Sequence, residues 1–182
     1  RNNSERSALG LMFFSMFASF LVIPFISPFM VFNNGVLASE QKYIYFLGGI
    51  ATLITAPLIG RMSDRLGKSK VFIWTAFFAA FVFIGLTVLP PVPLWGALIA
   101  TTLFFVFATG RMVPAMAMIT SAIPAKRRGG FMSLNSSVQQ ITAGTASIVA
   151  GRIVQTLPDN SIQGYYLVGI LAAISVFFSI WI

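Results

Sequence analysis

Apolar residues in this chain gather into long unbroken runs instead of alternating with polar ones. Six such runs occupy residues 8–32, 43–59, 71–89, 94–122, 131–156 and 165–182, separated by short stretches rich in charge, Gly, Pro, Asn and Ser. At 1.5 Å rise per residue, a helix of about 17–25 apolar residues crosses the hydrocarbon core of a bilayer. The runs therefore predict six transmembrane helices. The two-residue alternation of a membrane β-barrel is absent. The pattern predicts an all-α membrane protein, with residues 1–182 forming a single six-helix transmembrane domain. The fourth and fifth runs are long enough to tilt or protrude.

The runs differ in where they place polar atoms. Residues 131–156 are the most polar: Ser133, Asn135, Ser136, Ser137, Gln139, Gln140, Thr142 and Thr145 fall close together. On a helix Asn135, Gln139 and Thr142 share one face, and Ser133, Ser136 and Gln140 share an adjacent one. Lipid penalises such faces, so they must meet protein or water. Either they line a solvated cavity or they bond neighbouring helices. Ala143, Ser147 and Gly151 form a small-residue ridge suited to close helix packing. Residues 71–89 and 165–182, by contrast, are apolar all round and read as peripheral supports against lipid. Pro24 and Pro28 interrupt the first run, and Gly110 and Pro114 interrupt the fourth. Paired interruptions in matching segments point to a transport site, although proline is also ordinary in membrane helices. Arg111 lies inside the fourth run, about 26 Å from its outer end by helical rise. Such an arginine either snorkels to the cytoplasmic surface or lines a cavity for substrate or coupling.

Composition narrows the chemistry. Only 9% of residues are charged, against about 25% in soluble domains. The chain has no Cys and no His, so it offers no disulfide framework, no thiol chemistry and neither of the commonest metal ligands. No acid pair, nucleophile–base pair or phosphate loop is present. The expectation is a non-enzyme with no cofactor and no metal site. The net charge of +8 follows from topology and does not indicate nucleic-acid binding. Arg1, Arg6, Arg61, Arg65, Lys68, Lys70, Lys126, Arg127 and Arg128 fall on one side when loops are counted alternately, with Lys42 alone on the other. The positive-inside rule makes the N-terminus and the 60–70 and 123–130 loops cytoplasmic. The 33–42, 90–93 and 157–164 loops face outward. The first run is too long for a signal-peptide core and lacks a cleavage site, so no cleavable signal is expected. The scant polar flanks at both termini suggest a piece of a longer polypeptide.

The stretch Gly60-Arg61-Met62-Ser63-Asp64-Arg65-Leu66-Gly67-Lys68-Ser69-Lys70 reads as a tight charged turn between two apolar runs. Its pattern, G-x-x-x-D-R-x-G-K-x-K, resembles the signature loop between the second and third spans of each half of major facilitator superfamily transporters. Gly110-Arg111-Met112-Val113-Pro114 and the run from Arg127-Arg128-Gly129-Gly130 to Gln139-Gln140 are similar to the tenth and eleventh spans of sugar- and drug-efflux permeases. The resemblance implies a C-terminal half, spans 7 to 12, built as a 3+3 inverted repeat. It implies secondary transport of a small organic solute by alternating access, with efflux of a drug or sugar as the direction, as in an antiporter, in the bacterial inner membrane. The implied partners are membrane lipid, the other six-span half or a second copy, the solute, and protons as an open option. Because the apolar runs hold no Asp or Glu, a proton-coupling carboxylate would lie in the other half, or transport is uncoupled. The resemblance also makes Gly60, Asp64, Arg65, Gly67 and Lys68 an inter-half latch, with Asp64 near a helix N-terminus of the other half. The alternative for this loop is a solvated charged turn that only sets topology. Lys68 and Lys70 stand where the family more often has Arg, keeping charge but losing the planar fork. Arg111 matches, by residue type alone, an arginine in the fourth span of the family's N-terminal half. The competing reading is a self-associating or non-transporting six-span scaffold or receptor-type subunit.

The topology has a direct check. Single cysteines replacing Ser69 and Asn160 should react with a membrane-impermeant thiol reagent from opposite faces of the membrane. Labelling of both from the same face would overturn the assignment.

Overall fold

The computed structural model describes residues 2–182, with side chains from residue 4 onward. The apolar runs become six α-helices: α1 (Asn2–Pro28), α2 (Gln41–Leu66), α3 (Lys68–Thr87), α4 (Leu94–Ala122), α5 (Ala125–Ile153) and α6 (Tyr165–Trp181). Pro24 does not end α1, and at Pro28 the helix passes directly into a π-helical turn at Phe29–Asn33. A 3-10 turn at Ala38–Glu40 leads into α2, and two short strands, β1 (Gln155–Thr156) and β2 (Ile162–Gln163), form an antiparallel hairpin before α6.

Four stretches, Ser4–Asn33, Ala38–Leu66, Lys68–Thr87 and Leu94–Ala122, are long and apolar enough to cross a membrane. The other two helices differ from the six equivalent spans that the sequence predicts. α5 is 29 residues long but begins with Lys126, Arg127 and Arg128 and carries the polar residues described above. α6 is strongly apolar but has only 17 residues, about 25 Å by helical rise.

Helix boundaries depart from the apolar runs where charge is concentrated. The turn expected over residues 60–70 is almost entirely helical: α2 runs to Leu66, α3 starts at Lys68, and Gly67 alone joins them. Its φ of 96° lies in the left-handed region that glycine adopts without strain. The expected 123–130 loop shrinks to Ile123 and Pro124, since α5 starts at Ala125. Proline just before a helix forbids continuation of the previous one and is well placed at the start of the next. The polar residues of both stretches have good helix propensity, so charge marks the membrane surface without ending the helix. At the other end α5 stops at Ile153, and the run to 156 becomes strand β1. Arg152 therefore sits in the last turn of α5, where a cation complements the exposed carbonyls, and not inside a span.

The helix neighbours follow a two-fold pattern. α1 packs on α5 and α6, while α4 packs on α2 and α3; α3 meets α6, and α1 meets α4. Exchanging α1 with α4, α2 with α5 and α3 with α6 leaves this set of neighbours unchanged. α1 and α4 are thus central, α2 and α5 flank them, and α3 and α6 form the back. The α3–α6 seam uses small residues, Ala76, Ala79 and Ala80 against Ala172 and Ala173, all buried, which allows close backbone approach. Phe83 of α3 and Phe104 of α4 meet as tilted rings, 4.7 Å between centres and 36° between planes, both fully buried. The outer surface carries Phe46, Leu53, Ile54, Trp74, Phe81, Ile99 and Phe177, all exposed. An apolar exterior of this extent suits lipid.

Polar contacts close the two ends. Glu5 of α1 pairs with Arg127 of α5 at 2.9 Å, which places the starts of both helices at the basic end. At the opposite end Asn33 pairs with the main chain of Ile162 in both directions: its Nδ2 donates to the Ile162 carbonyl and its Oδ1 accepts from the Ile162 N–H, each at 2.9 Å. The side chain thereby acts as a third strand on the hairpin. Asp159 accepts from the Ser161 hydroxyl and N–H in the hairpin turn, and these bonds, the hydroxyl first, hold its carboxyl below the usual range. Ser27 donates to Gln41 at 2.7 Å, tying α1 to the start of α2.

Asn33→Ala should release the hairpin. Two buried-edge hydrogen bonds are lost, about 1–3 kcal/mol in total, so a fall of a few degrees in the melting temperature in detergent is expected, with faster amide exchange at Ile162. An unchanged exchange rate at Ile162 would show that the clamp does not hold the hairpin.

Candidate functional site

The seam between the central helices is organised around Arg111. Its side chain has no exposed surface. One terminal nitrogen, Nη2, donates to the Ser15 carbonyl at 2.7 Å and to Ser19 Oγ at 2.6 Å, both on α1. The guanidinium also lies over the Phe83 ring of α3, 5.0 Å from its centre, a favourable cation–π arrangement. Ser15 and Ser19 are four residues apart and so stack on one face of α1. Arg111 thus joins α1, α3 and α4. It does not snorkel to the cytoplasmic surface, and in this conformation it does not line an open cavity.

Its remaining donors, Nε and Nη1, have no partner, and neither has the hydroxyl of Ser15. Nor is there an acid inside the described bundle: Glu5 pairs with Arg127 at the basic end, Glu40 accepts from the Leu37 N–H, Asp64 lies in the last turn of α2, and Asp159 is in the hairpin. The positive charge is therefore met only by neutral oxygens and an aromatic face. A buried charge without a counter-ion is costly, and inside a membrane such a residue marks function more often than architecture.

The neighbouring interruptions shape this seam. At Gly110 of α4 the tip of the Ile59 side chain from α2 fills the space a Cβ would take; that Cβ would sit 2.7 Å from Ile59 Cδ1. Gly60 is not crowded; a Cβ would meet only Val113 at 3.8 Å. Pro114 is buried one turn below Arg111, and Pro24 and Pro28 lie in the outer part of α1 with the π-helical turn beyond them.

The polar residues of α5 divide between inside and outside. Asn135 and Thr142 are buried, Gln139 is half-buried, and Ser133, Ser136, Ser137 and Gln140 are exposed. Thr142 satisfies itself by donating to the Val138 carbonyl at 2.6 Å, whereas Asn135 Oδ1 is buried without a partner. Asn135 is ten residues from the start of α5 (135 − 125) and Arg111 eleven from the end of α4 (122 − 111), so both lie about 15–17 Å from the basic end. The expected second face is on the outside of the bundle, and its hydroxyls and amide cannot be left against acyl chains.

At the basic end Asp64, Lys68 and Arg128 line an open pocket of 460 Å³ with Met116, Ala117, Thr120 and Ser121 of α4. Lys68 Nζ donates to the Ala117 carbonyl at 3.3 Å, and Ser69 Oγ contacts Met118 Sδ at 3.4 Å. The junction thus grips α4. Asp64 and Arg65 are exposed, and among the described residues Asp64 forms no ion pair. The sequence reading missed Ser15, Ser19 and Phe83 around Arg111 and the Glu5–Arg127 pair. The serine pair at i and i+4 on an otherwise apolar run was the one available signal.

The family model of the Major Facilitator Superfamily matches residues 8–182. No curated protein matches the chain.

Ser19→Ala removes an acceptor from a charged donor, an interaction of about 1.5–3 kcal/mol. The variant should melt several degrees lower in detergent than the unmodified protein. An unshifted transition would mean that Ser19 contributes nothing to holding Arg111.

Proposed function

The chain belongs to the major facilitator superfamily, and we propose that it is the C-terminal six-helix half of a secondary transporter that moves a small organic solute by alternating access. Members of this family are transporters, and the protein is a multi-pass integral membrane protein. The finer reading is efflux of a drug or sugar across a bacterial inner membrane. The observation that carries it is the position of Arg111: a buried charge held between two central helices that both carry proline within their length, with Gly110 and Pro114 beside it on α4. Helices of this kind bend at their interruptions, and a charge at their seam has two sets of partners available in two states.

In this mechanism α1 and α4 rock against each other, with α3 and α6 as a fixed back. The exposed polar face of α5 and the largely exposed α2 meet the other six-helix half or a second copy. Asn135, Gln139, Gln140 and Thr142 stand on the helix nearest that partner, where a solvated solute path needs polar walls. Asp64 and Arg65, presented beside Gly67, latch onto the N-terminus of a partner helix when the cytoplasmic side is closed, while Lys68 anchors the junction to α4. A carboxylate facing a helix N-terminus is worth about 0.3–1 kcal/mol when exposed and up to about 2 kcal/mol when partly buried. Roughly 1.4 kcal/mol changes a two-state population tenfold, so one such contact is enough to bias the cycle.

The test is transport by the complete polypeptide in proteoliposomes loaded with a range of drugs, sugars and organic acids, with and without a proton gradient. Movement of at least one solute, saturable and absent from protein-free vesicles, is expected. Asp64→Asn should slow it several-fold while leaving the folded yield unchanged. Failure to move any solute would overturn the transport reading. A wild-type rate in Asp64→Asn would reduce the junction to a topological signal.

A further inference from the structure

The charge of Arg111 has no counter-ion anywhere in the described bundle, and its surroundings say what kind of group would supply one. We propose that the seam between α1 and α4 is a carboxylate site, and that the solute moved by this protein is an organic acid whose carboxylate takes over Arg111 from the Ser15 carbonyl and the Ser19 hydroxyl. This inference rests on the transport reading above and narrows its solute class.

Three observations converge. The guanidinium is fully enclosed, yet Nε and Nη1 are unpaired, and the only hydrogen-bond acceptors it has are neutral oxygens of α1. The hydroxyl of Ser15, one turn from Ser19 on the same helix face, is likewise buried and unpaired. It is a donor available to an oxygen anion arriving at Arg111. Finally, every acid in the described chain lies at an end of the bundle, so no internal carboxylate is at hand to fill the place. A planar guanidinium is well matched to a carboxylate, and such charge-assisted bonds are about twice as strong as neutral ones. A cationic solute would be repelled at this seam, and a neutral one would leave the charge unmet.

The exchange couples recognition to movement. In the closed seam Nη2 is occupied by α1, so α1 and α4 are held together. A carboxylate that binds the guanidinium competes with those oxygens and loosens the tie. A ligand shifts a conformational equilibrium only through such a difference in contacts between states. Arg111 is then a binding residue, while the Ser15 carbonyl and Ser19 hydroxyl act as its internal competitors.

The experiment compares benzoate with benzamide and benzylamine, three small aromatic solutes of three charges, together with lactate and citrate. Saturable shifts in the melting temperature of the complete purified protein in detergent are measured, and uptake of the same radiolabelled solutes is followed in proteoliposomes. At least one carboxylate should bind saturably and be transported, with benzamide and benzylamine without effect. Arg111→Gln should weaken that binding at least tenfold, and Arg111→Lys should retain part of it. Ser19→Ala should bind the carboxylate more tightly than the unmodified protein, because a competitor is gone; a purely architectural Ser19 would give weaker or unchanged binding. The proposal is overturned if no carboxylate shifts the unmodified protein, if Arg111→Gln binds carboxylate undiminished, or if Ser19→Ala does not bind it more tightly. Transport of neutral or cationic solutes without carboxylate binding would sink this inference and leave the transport reading standing. Carboxylate binding without transport of any solute would leave the binding site standing and overturn both the transport reading and the assignment of the solute.

Discussion

A guanidinium sealed from solvent at the meeting point of three helices is the constraint around which the rest of this molecule is arranged. Arg111 reaches from α4 to two oxygens of α1 and lies on a phenylalanine of α3. Lipid offers no water to share the charge, so the bundle must surround it with every dipole it can spare. That requirement explains why a serine pair sits on an otherwise apolar stretch of α1. Beside Arg111, at Gly110, the tip of Ile59 from α2 fills the space a Cβ would take.

The same constraint makes the two central helices unlike the others. They meet through a polar contact, whereas α3 and α6 meet through alanines and a close approach of Thr87 to Gly169. Tight interdigitated packing resists sliding. A seam held by a few directional bonds can break and re-form in a second arrangement. Rigid back and separable front are therefore properties of two kinds of contact within one bundle. The exchange pattern of helix neighbours places each central helix against the flanking and back helices of the opposite three-helix group. Movement of α1 or α4 is felt on both sides of the bundle.

The outer surface divides by chemistry. Most of it is the apolar coat expected of a protein in lipid. The exposed hydroxyls and amide of α5 are the exception, because they stand on a helix that is half in the bundle and half out of it. At the basic end the α2–α3 junction, reduced to one glycine, holds its charges on helix termini where their positions are defined. Lys68 is fixed to α4 through the Ala117 carbonyl, while Asp64 and Arg65 stay outward. This separation leaves the acid free to meet a second surface.

Much of this was legible in the linear order of residues. Long apolar runs determine helices, since a chain in lipid must satisfy its backbone internally. The asymmetry of Lys and Arg determines which end is basic, and the charged junction, read together with its apolar flanks, pointed to the family. These features are local or periodic, and local physics suffices to decode them. Other features were decided only when the helices packed. Charge at residues 60–70 and 125–130 looked like loop but became helix, because helix propensity prevails where a surface helix can simply project into water. Gly60 and Gly110 look alike as letters; only the second has a neighbouring side chain, that of Ile59, in the space a Cβ would take. Asn135 and Gln140 look alike as polar residues of one span, yet the packing of α1 buries one and leaves the other outside. Arg111 offered the sequence two readings, snorkelling or cavity; in this conformation it is enclosed and held by α1. Its partners lie more than ninety residues away on α1, and such pairing depends on which helices become neighbours, a property of the whole bundle and of no single segment.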